Sequence, residues 1–145
     1  MKVWRRFALV GVLLGAVTVH ASETWVGWVS WVMDGDTLVL VREGHQEPIK
    51  LRIDGIDAPE TCQPGGPEAR DMMIRLALRK QVQVVQVSHD SYGRQIGRLS
   101  VDGRDLGAEM VRSGMAWAYR FSSGKGPYAA LQRQAQKHKR GLFAA

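Results

Sequence analysis

Between Thr24 and Ile53 the chain runs through three apolar stretches separated by turn signals, a pattern that a β-meander accommodates. The first stretch, TWVGWVSWV (24–32), sets Trp25, Trp28 and Trp31 against Val26, Val29 and Val32. That spacing breaks a strict period of two and is expected of a curled strand buried on both faces. Asp34-Gly35-Asp36 marks a tight turn, and TLVLV (37–41) is the returning strand. REGHQE (42–47) turns again, and PIKLRI (48–53) is the third strand. The period then changes. In PGGPEARDMMIRLALRK (64–80), Ala69, Met72, Met73 and Leu76 recur at helical spacing, and Pro67-Glu68 suits a helix start. VQVVQV (82–87) and QIGRLSV (95–101) are two more strands, joined by the turn HDSYGR (89–94). DLGAEMVRSG (105–114) reads as a short helix with Gly114 as its stop, and residues 128–141 as a last helix with a narrow stripe of Tyr128, Leu131 and Ala135. Five short strands with a helix between the third and fourth predict an α+β chain with a mainly β core: a five-stranded OB-fold Greek-key barrel with three α-helices.

The 145 residues leave room for one such domain. The N-terminus reads differently. Lys2, Arg5 and Arg6 precede thirteen uncharged, mostly apolar residues, and small residues surround a cut between Ala21 and Ser22. That order is the order of a secretory signal. A membrane anchor is the alternative, but thirteen residues of helix span roughly 20 Å, short of a ~30 Å hydrocarbon core. The expected division is a signal peptide over 1–21 and a domain over 22–145, secreted or periplasmic. Loss of the three basic residues lowers the formal charge from +6 to +3. A balance that small does not identify a partner. Cys62 is the single cysteine, so no internal disulfide can form, and it is expected to be a half-buried small residue.

One arginine and three carboxylates fall within the nine residues 52–60, where the third strand ends at Pro59. In a meander the second strand begins near where the third one ends, so Asp36 and Asp57 can meet. Like charges that close are costly unless a cation joins them, and hard oxygen ligands favour Ca²⁺ or Mg²⁺. Arg52 and Arg94 carry forked guanidinium groups suited to a phosphate. With Glu60 as a base for water, this set matches what phosphodiester hydrolysis needs. Strict alternation puts Arg52 and Asp57 on opposite faces, so Gly55 is expected to bend the strand end. Each piece also has a plain reading: a hairpin turn for 34–36 and a strand-ending loop for 57–60. His45, His89, His138 and the basic residues of the last helix read as solvent-exposed, and Met72-Met73 as core.

DGDT (34–37), LRIDGIDAPE (51–60), DSYGR (90–94), GMAWAY (114–119) and RGLF (140–143) together resemble the staphylococcal nuclease (thermonuclease, micrococcal nuclease) family, across almost the whole of 22–145. The resemblance implies Ca²⁺-dependent cleavage of DNA and RNA at the P–O5′ bond, leaving 3′-phosphate ends, by a monomer that prefers single strands. It implies that Asp36 and Asp57 ligate Ca²⁺ with the Ala58 carbonyl, with Asp34 and Thr37 behind them. Arg52 and Arg94 would bind the scissile phosphate, Glu60 would be the general base, and Tyr92 and Tyr119 would line the nucleotide pocket. Four positions depart from the family pattern: Ala58 in place of Thr, a short loop at 61–67 without lysine, Gly107 in place of Asn, and Phe143 in place of Trp. Two other functions remain open for such a barrel. One is a catalytically silent nucleic-acid-binding module, which retention of the acids and arginines argues against. The other is an oligosaccharide-binding domain, which exposed tryptophans would support, whereas Trp25, Trp28 and Trp31 are expected in the core or packed near the signal segment.

Overall fold

The valine- and leucine-rich runs form five strands that close on themselves. The computed structural model describes residues 22–120, 124 and 126–144, so the expected signal peptide lies outside the described residues. The long strands are β1 (Glu23–Val32), β2 (Thr37–Arg42), β3 (Pro48–Ile53), β5 (Gln81–His89) and β6 (Gln95–Val101). Antiparallel pairing gives the order β3-β2-β1-β5-β6, and a parallel pairing of β3 with β6 joins the two edges. Closure leaves no open edge among these strands. Leu38, Leu40, Leu51, Ile53, Val84 and Leu99 alternate inward and are fully buried.

Helix α1 (Gly66–Ala77) sits between β3 and β5 in the chain, followed late by α2 (Leu106–Arg112) and α3 (Ala129–Lys137). Helix α1 buries Ala69, Met73 and Ala77 against β1 and α2. It is shorter than its apolar pattern, because Gly65 adopts a left-handed φ of 83° at its start and Leu78 is extended at its end. Asp105 caps α2 by accepting from the Ala108 amide at 3.0 Å. Three two-residue strands escaped the sequence pattern: β4 (Ile56–Asp57), β7 (Arg104–Asp105) and β8 (Trp117–Ala118). Strands that short carry no readable period, yet the pairing of β4 with β8 is what ties the acidic loop to the C-terminal part of the chain.

Two expectations fail. Strand β1 is not buried on both faces: Trp25 is in the core, but Trp28 and Trp31 are 50% and 56% exposed. The register explains it. A bulge between Val29 and Trp31 adds one residue to β1 against β2, so Val29 and Val32 both point inward and both outer tryptophans point out. Cys62 is exposed rather than half-buried, because the loop 61–64 lies on the surface before α1 begins.

Gly107 is buried where the helix faces Tyr128, and a Cβ there would meet the Tyr128 ring and hydroxyl at 2.9–3.0 Å. The tyrosine fills that space and donates its hydroxyl to Asp105 at 2.8 and 3.0 Å. Burial, with the Asp105 carboxylate beside it, pushes the Tyr128 phenol well above its ordinary range. A glycine here thus permits a different buried hydrogen bond. Gly66 has a comparable role at the acidic loop, where a Cβ would run into the Glu60 carbonyl. Substituting Gly66→Ala is expected to lower stability by about 1–3 kcal/mol through this overpacking and to shift the 60–66 loop. Thermal unfolding of the variant measures the first effect, and an unchanged melting temperature would refute it.

Candidate active site

The turn 34–37 is built from its own acids. The Asp36 amide donates to Asp34 Oδ1 at 3.1 Å, and the Met33 amide donates to the Thr37 carbonyl at 3.0 Å. Gly35 is buried, and a Cβ there would meet the Ala58 methyl at 2.7 Å. This close approach holds the Asp34–Asp36 turn against the 57–60 loop and gives small residues at both 35 and 58 a packing reason.

Asp36 is only 6% exposed. Its Oδ1 accepts from the Thr37 hydroxyl at 2.9 Å, and its Oδ2 accepts from the Ala58 amide at 2.8 Å. Arg52 Nη2 lies 3.5 Å from Asp36 Oδ2 and 3.0 Å from Asp57 Oδ1. One guanidinium nitrogen therefore joins the two carboxylates that chain spacing keeps 21 residues apart. The bend that brings Asp57 round is Gly55, at φ 81°, followed by β4 on β8. Tyr119 donates its amide to the Gly55 carbonyl at 2.9 Å and so pins the bend.

Burial pushes the Asp36 carboxyl up to about 6, against the lowering effect of the Ala58 amide and the Arg52 charge. A carboxyl held above its ordinary value favours folding most when protonated. The contribution is complete below about 3.8 and is lost as pH rises through about 6.

The arginine of the second turn is positioned separately. Asp90 Oδ2 accepts from Arg94 Nε at 2.6 Å, while Asp90 Oδ1 accepts from the Tyr92 and Arg94 amides at 2.9 Å each. Burial alone would lift the Asp90 carboxyl, but these bonds from Arg94 and Tyr92 hold it below its ordinary value. Parallel pairing sets Leu51 opposite Gln95 and Arg52 opposite Ile96, so Arg94 enters β6 about two residues, or roughly 7 Å, back from Arg52. No contact joins Arg94 to Asp36, Asp57 or Arg52 among the described residues.

Glu60 is exposed, and its carboxylate has no partner among the described residues; its amide donates to Gln63 Oε1 at 2.9 Å. Tyr92 is 86% exposed beside Arg94, whose Cζ lies 5.8 Å from the ring centre. Tyr119 is also exposed, at the far end of β8. Contacts thus bring together Asp34, Asp36, Thr37, Arg52, Asp57 and Ala58. Strand register alone places Arg94, and loop geometry places Glu60, Tyr92 and Tyr119.

Two supporting residues were not singled out from sequence. Asp90 holds Arg94, and its position four residues earlier, in a turn, is a readable signal. Gln132 is buried and its Oε1 accepts from the Ala118 amide at 2.6 Å, fixing β8 opposite β4. A buried polar residue on a helix stripe gives no such signal in sequence.

The donor set can be tested against a cation. Asp36, Asp57 and the Ala58 carbonyl are all hard oxygens, and the two carboxylates already share one positive nitrogen. That set fits Ca²⁺ with water completing the shell. No cluster of three His, Cys, Asp or Glu side chains able to hold a metal occurs among the described residues, so backbone and water would supply the remainder.

Comparisons with known proteins show which chains this one is similar to. Residues 50–145 match a family model described as staphylococcal nuclease homologue. The chain is 35% identical to a micrococcal nuclease of Shigella flexneri over 94% of its own length and 84% of that protein. It is 36% identical to an uncharacterized endonuclease of Escherichia coli O157:H7, covering 81% and 76% of the two chains. It is also 35% identical to Protein ParB of Escherichia coli, covering 89% and 80%.

Replacing Asp36→Asn should therefore raise stability at pH 7 in metal-free buffer, by on the order of 3 kcal/mol if the whole rise from 3.8 to about 6 is recovered. The gain should vanish near pH 4. Chemical unfolding at both pH values checks this, and equal stabilities at pH 7 would show that burial does not strain the carboxylate.

Proposed function

The chain belongs to the staphylococcal nuclease homologue family, and from that premise we propose that it is an exported, Ca²⁺-dependent nuclease that hydrolyses DNA and RNA with little sequence specificity. The observation that carries the reading is the single Arg52 nitrogen shared by Asp36 and Asp57, with the Glu60 carboxylate, which has no partner among the described residues, three residues beyond Asp57.

In this reading Asp36, Asp57 and the Ala58 carbonyl hold the cation, with Asp34 and Thr37 orienting Asp36. When bound, Ca²⁺ supplies electrostatic stabilisation to the phosphoryl oxygens. Arg52 lies within reach of both metal ligands and presents the rest of its fork to the phosphate. Arg94, held by Asp90, neutralises charge that builds on phosphorus during attack. Glu60 takes the proton from the attacking water. The P–O5′ bond then breaks, O5′ takes a proton from solvent, and the products are a 3′-phosphate and a 5′-hydroxyl. Tyr92 and Tyr119 offer exposed rings and hydroxyls to the flanking nucleotides. Export follows from the signal-like order of residues 1–21, and the protein is read as a monomer.

Digestion of single-stranded DNA with Ca²⁺, and then with EGTA, tests the reading when the ends are mapped. Calcium-dependent 3′-phosphate ends are expected. Cleavage that survives EGTA would remove Ca²⁺ from the site, and binding without cleavage would make the barrel a silent nucleic-acid-binding module. A second test concerns geometry. Arg94→Lys should lower kcat/KM at least about a hundredfold, because a point charge cannot reproduce a bidentate fork. Turnover near that of the unmodified protein would take Arg94 out of the mechanism.

A further inference from the structure

The outer face of β1 is not accounted for by the acidic rim. Trp28 pairs with Val41 and Trp31 with Val39, and those two valines lie two residues apart on β2. Directly paired residues share a face, as do residues two apart. Trp28 and Trp31 therefore stand side by side on the outside of the barrel, roughly 7 Å apart along the strand, the spacing of their two partners on β2. Large exposed apolar rings in a row mark an interaction surface.

Each ring comes with cations. Arg70 Cζ lies 5.3 Å from the Trp31 ring centre, and Arg70 Nε donates to the Val32 carbonyl at 3.1 Å. Trp28 forms one wall of a cleft of about 510 Å³ with Arg79 and Lys80. Asp102 is the one acid lining that cleft among the described residues. Backbone bonds hold the main chain of these two residues beside β1: the Arg79 amide donates to the Val29 carbonyl at 2.9 Å, and the Val29 amide donates to the Lys80 carbonyl at 3.1 Å. Arg79 is held in a left-handed conformation, φ 59°, and its guanidinium has no partner among the described residues. Lys80 uses one donor on the Arg75 carbonyl at 3.0 Å and keeps two.

The face is continuous with the site. Val39 pairs with Lys50 on β3, two residues before Arg52 on the same side. The path from Arg52 thus runs over Lys50 and Val39 to Trp31, and on to Trp28.

We propose that this face is a track for single-stranded nucleic acid, on which Trp28 and Trp31 stack bases while Arg70, Arg79 and Lys80 hold phosphates. Rings tolerate any base, and cations follow the backbone, which suits a nuclease that does not read sequence. The position of the track relative to the cut rests on the nuclease reading, whereas strand binding by the track does not.

The test compares a 20-nucleotide DNA single strand with a dinucleotide, using the full chain. Binding of the 20-mer is measured in EGTA, and hydrolysis of the dinucleotide in Ca²⁺. Trp28→Ala should weaken 20-mer binding at least roughly fivefold, with Trp28→Phe restoring most of it. Arg79→Gln with Lys80→Gln should weaken it further and lower the slope of log K against log salt by about 1.4. Hydrolysis of the dinucleotide, too short to reach the track, should not follow these losses. Unchanged 20-mer affinity in both variants would overturn the track. So would an equal loss on the dinucleotide, which would assign these residues to support of the fold, or a flat salt response, which would assign the face to a neutral ligand. If the unmodified protein leaves the 20-mer itself intact in Ca²⁺, the nuclease reading fails while the 20-mer affinities in EGTA still decide the track.

Discussion

Burying the Asp36 carboxylate is the constraint on which the site depends. A carboxylate removed from water is costly unless other groups replace its hydration. Here the replacements come from three places in the chain: the neighbouring Thr37 hydroxyl, the Ala58 amide and the Arg52 guanidinium. Each requires something further. The Ala58 amide reaches Asp36 only if the chain turns sharply at Gly55 and packs on Gly35, and the turn holds because β4 pairs with β8. Gln132 and the Tyr119 amide then secure β8 and the bend. The acidic rim is thus assembled by the C-terminal third of the chain as much as by its own loop.

The balance is deliberately incomplete in a chemical sense, because burial still leaves Asp36 at about 6. One guanidinium shared between two carboxylates does not neutralise both. A site with that residual negative character favours a cation, and the same arginine keeps donors free for an anion. Those two preferences are what the proposed nuclease reading asks of the site, a metal and a phosphate held together.

Barrel closure sets the second half of the arrangement. Parallel pairing of β3 with β6 fixes Arg94 two residues behind Arg52, and Asp90 restrains the side chain from its own turn. Antiparallel pairing of β1 with β2 and of β2 with β3 makes their outer faces one surface. The bulge in β1 then decides what that surface carries, since with regular alternation after Val29 Trp31 would point into the core in place of Val32. A single bulge therefore separates a strand that packs Trp31 from one that displays two aromatic rings beside the site.

Much was legible locally. Apolar runs, turn residues and the change of period identified five strands, three helices and the barrel, because periodicity reflects which face is buried. The grouping of Asp36, Asp57 and Arg52 was legible too, since a meander brings the start of one strand to the end of the next. The bulge, the pairing of β4 with β8, the exposure of Cys62 and the role of Gln132 were not. Register, short-strand pairing and loop placement depend on contacts between residues far apart in sequence, which local pattern does not encode. The sequence by itself determined which residues could form strands and which charges would gather at a strand end. The tertiary structure alone decided that Arg52 bridges two carboxylates and that Trp28 and Trp31 face outward, because both outcomes are set by where separate strands meet.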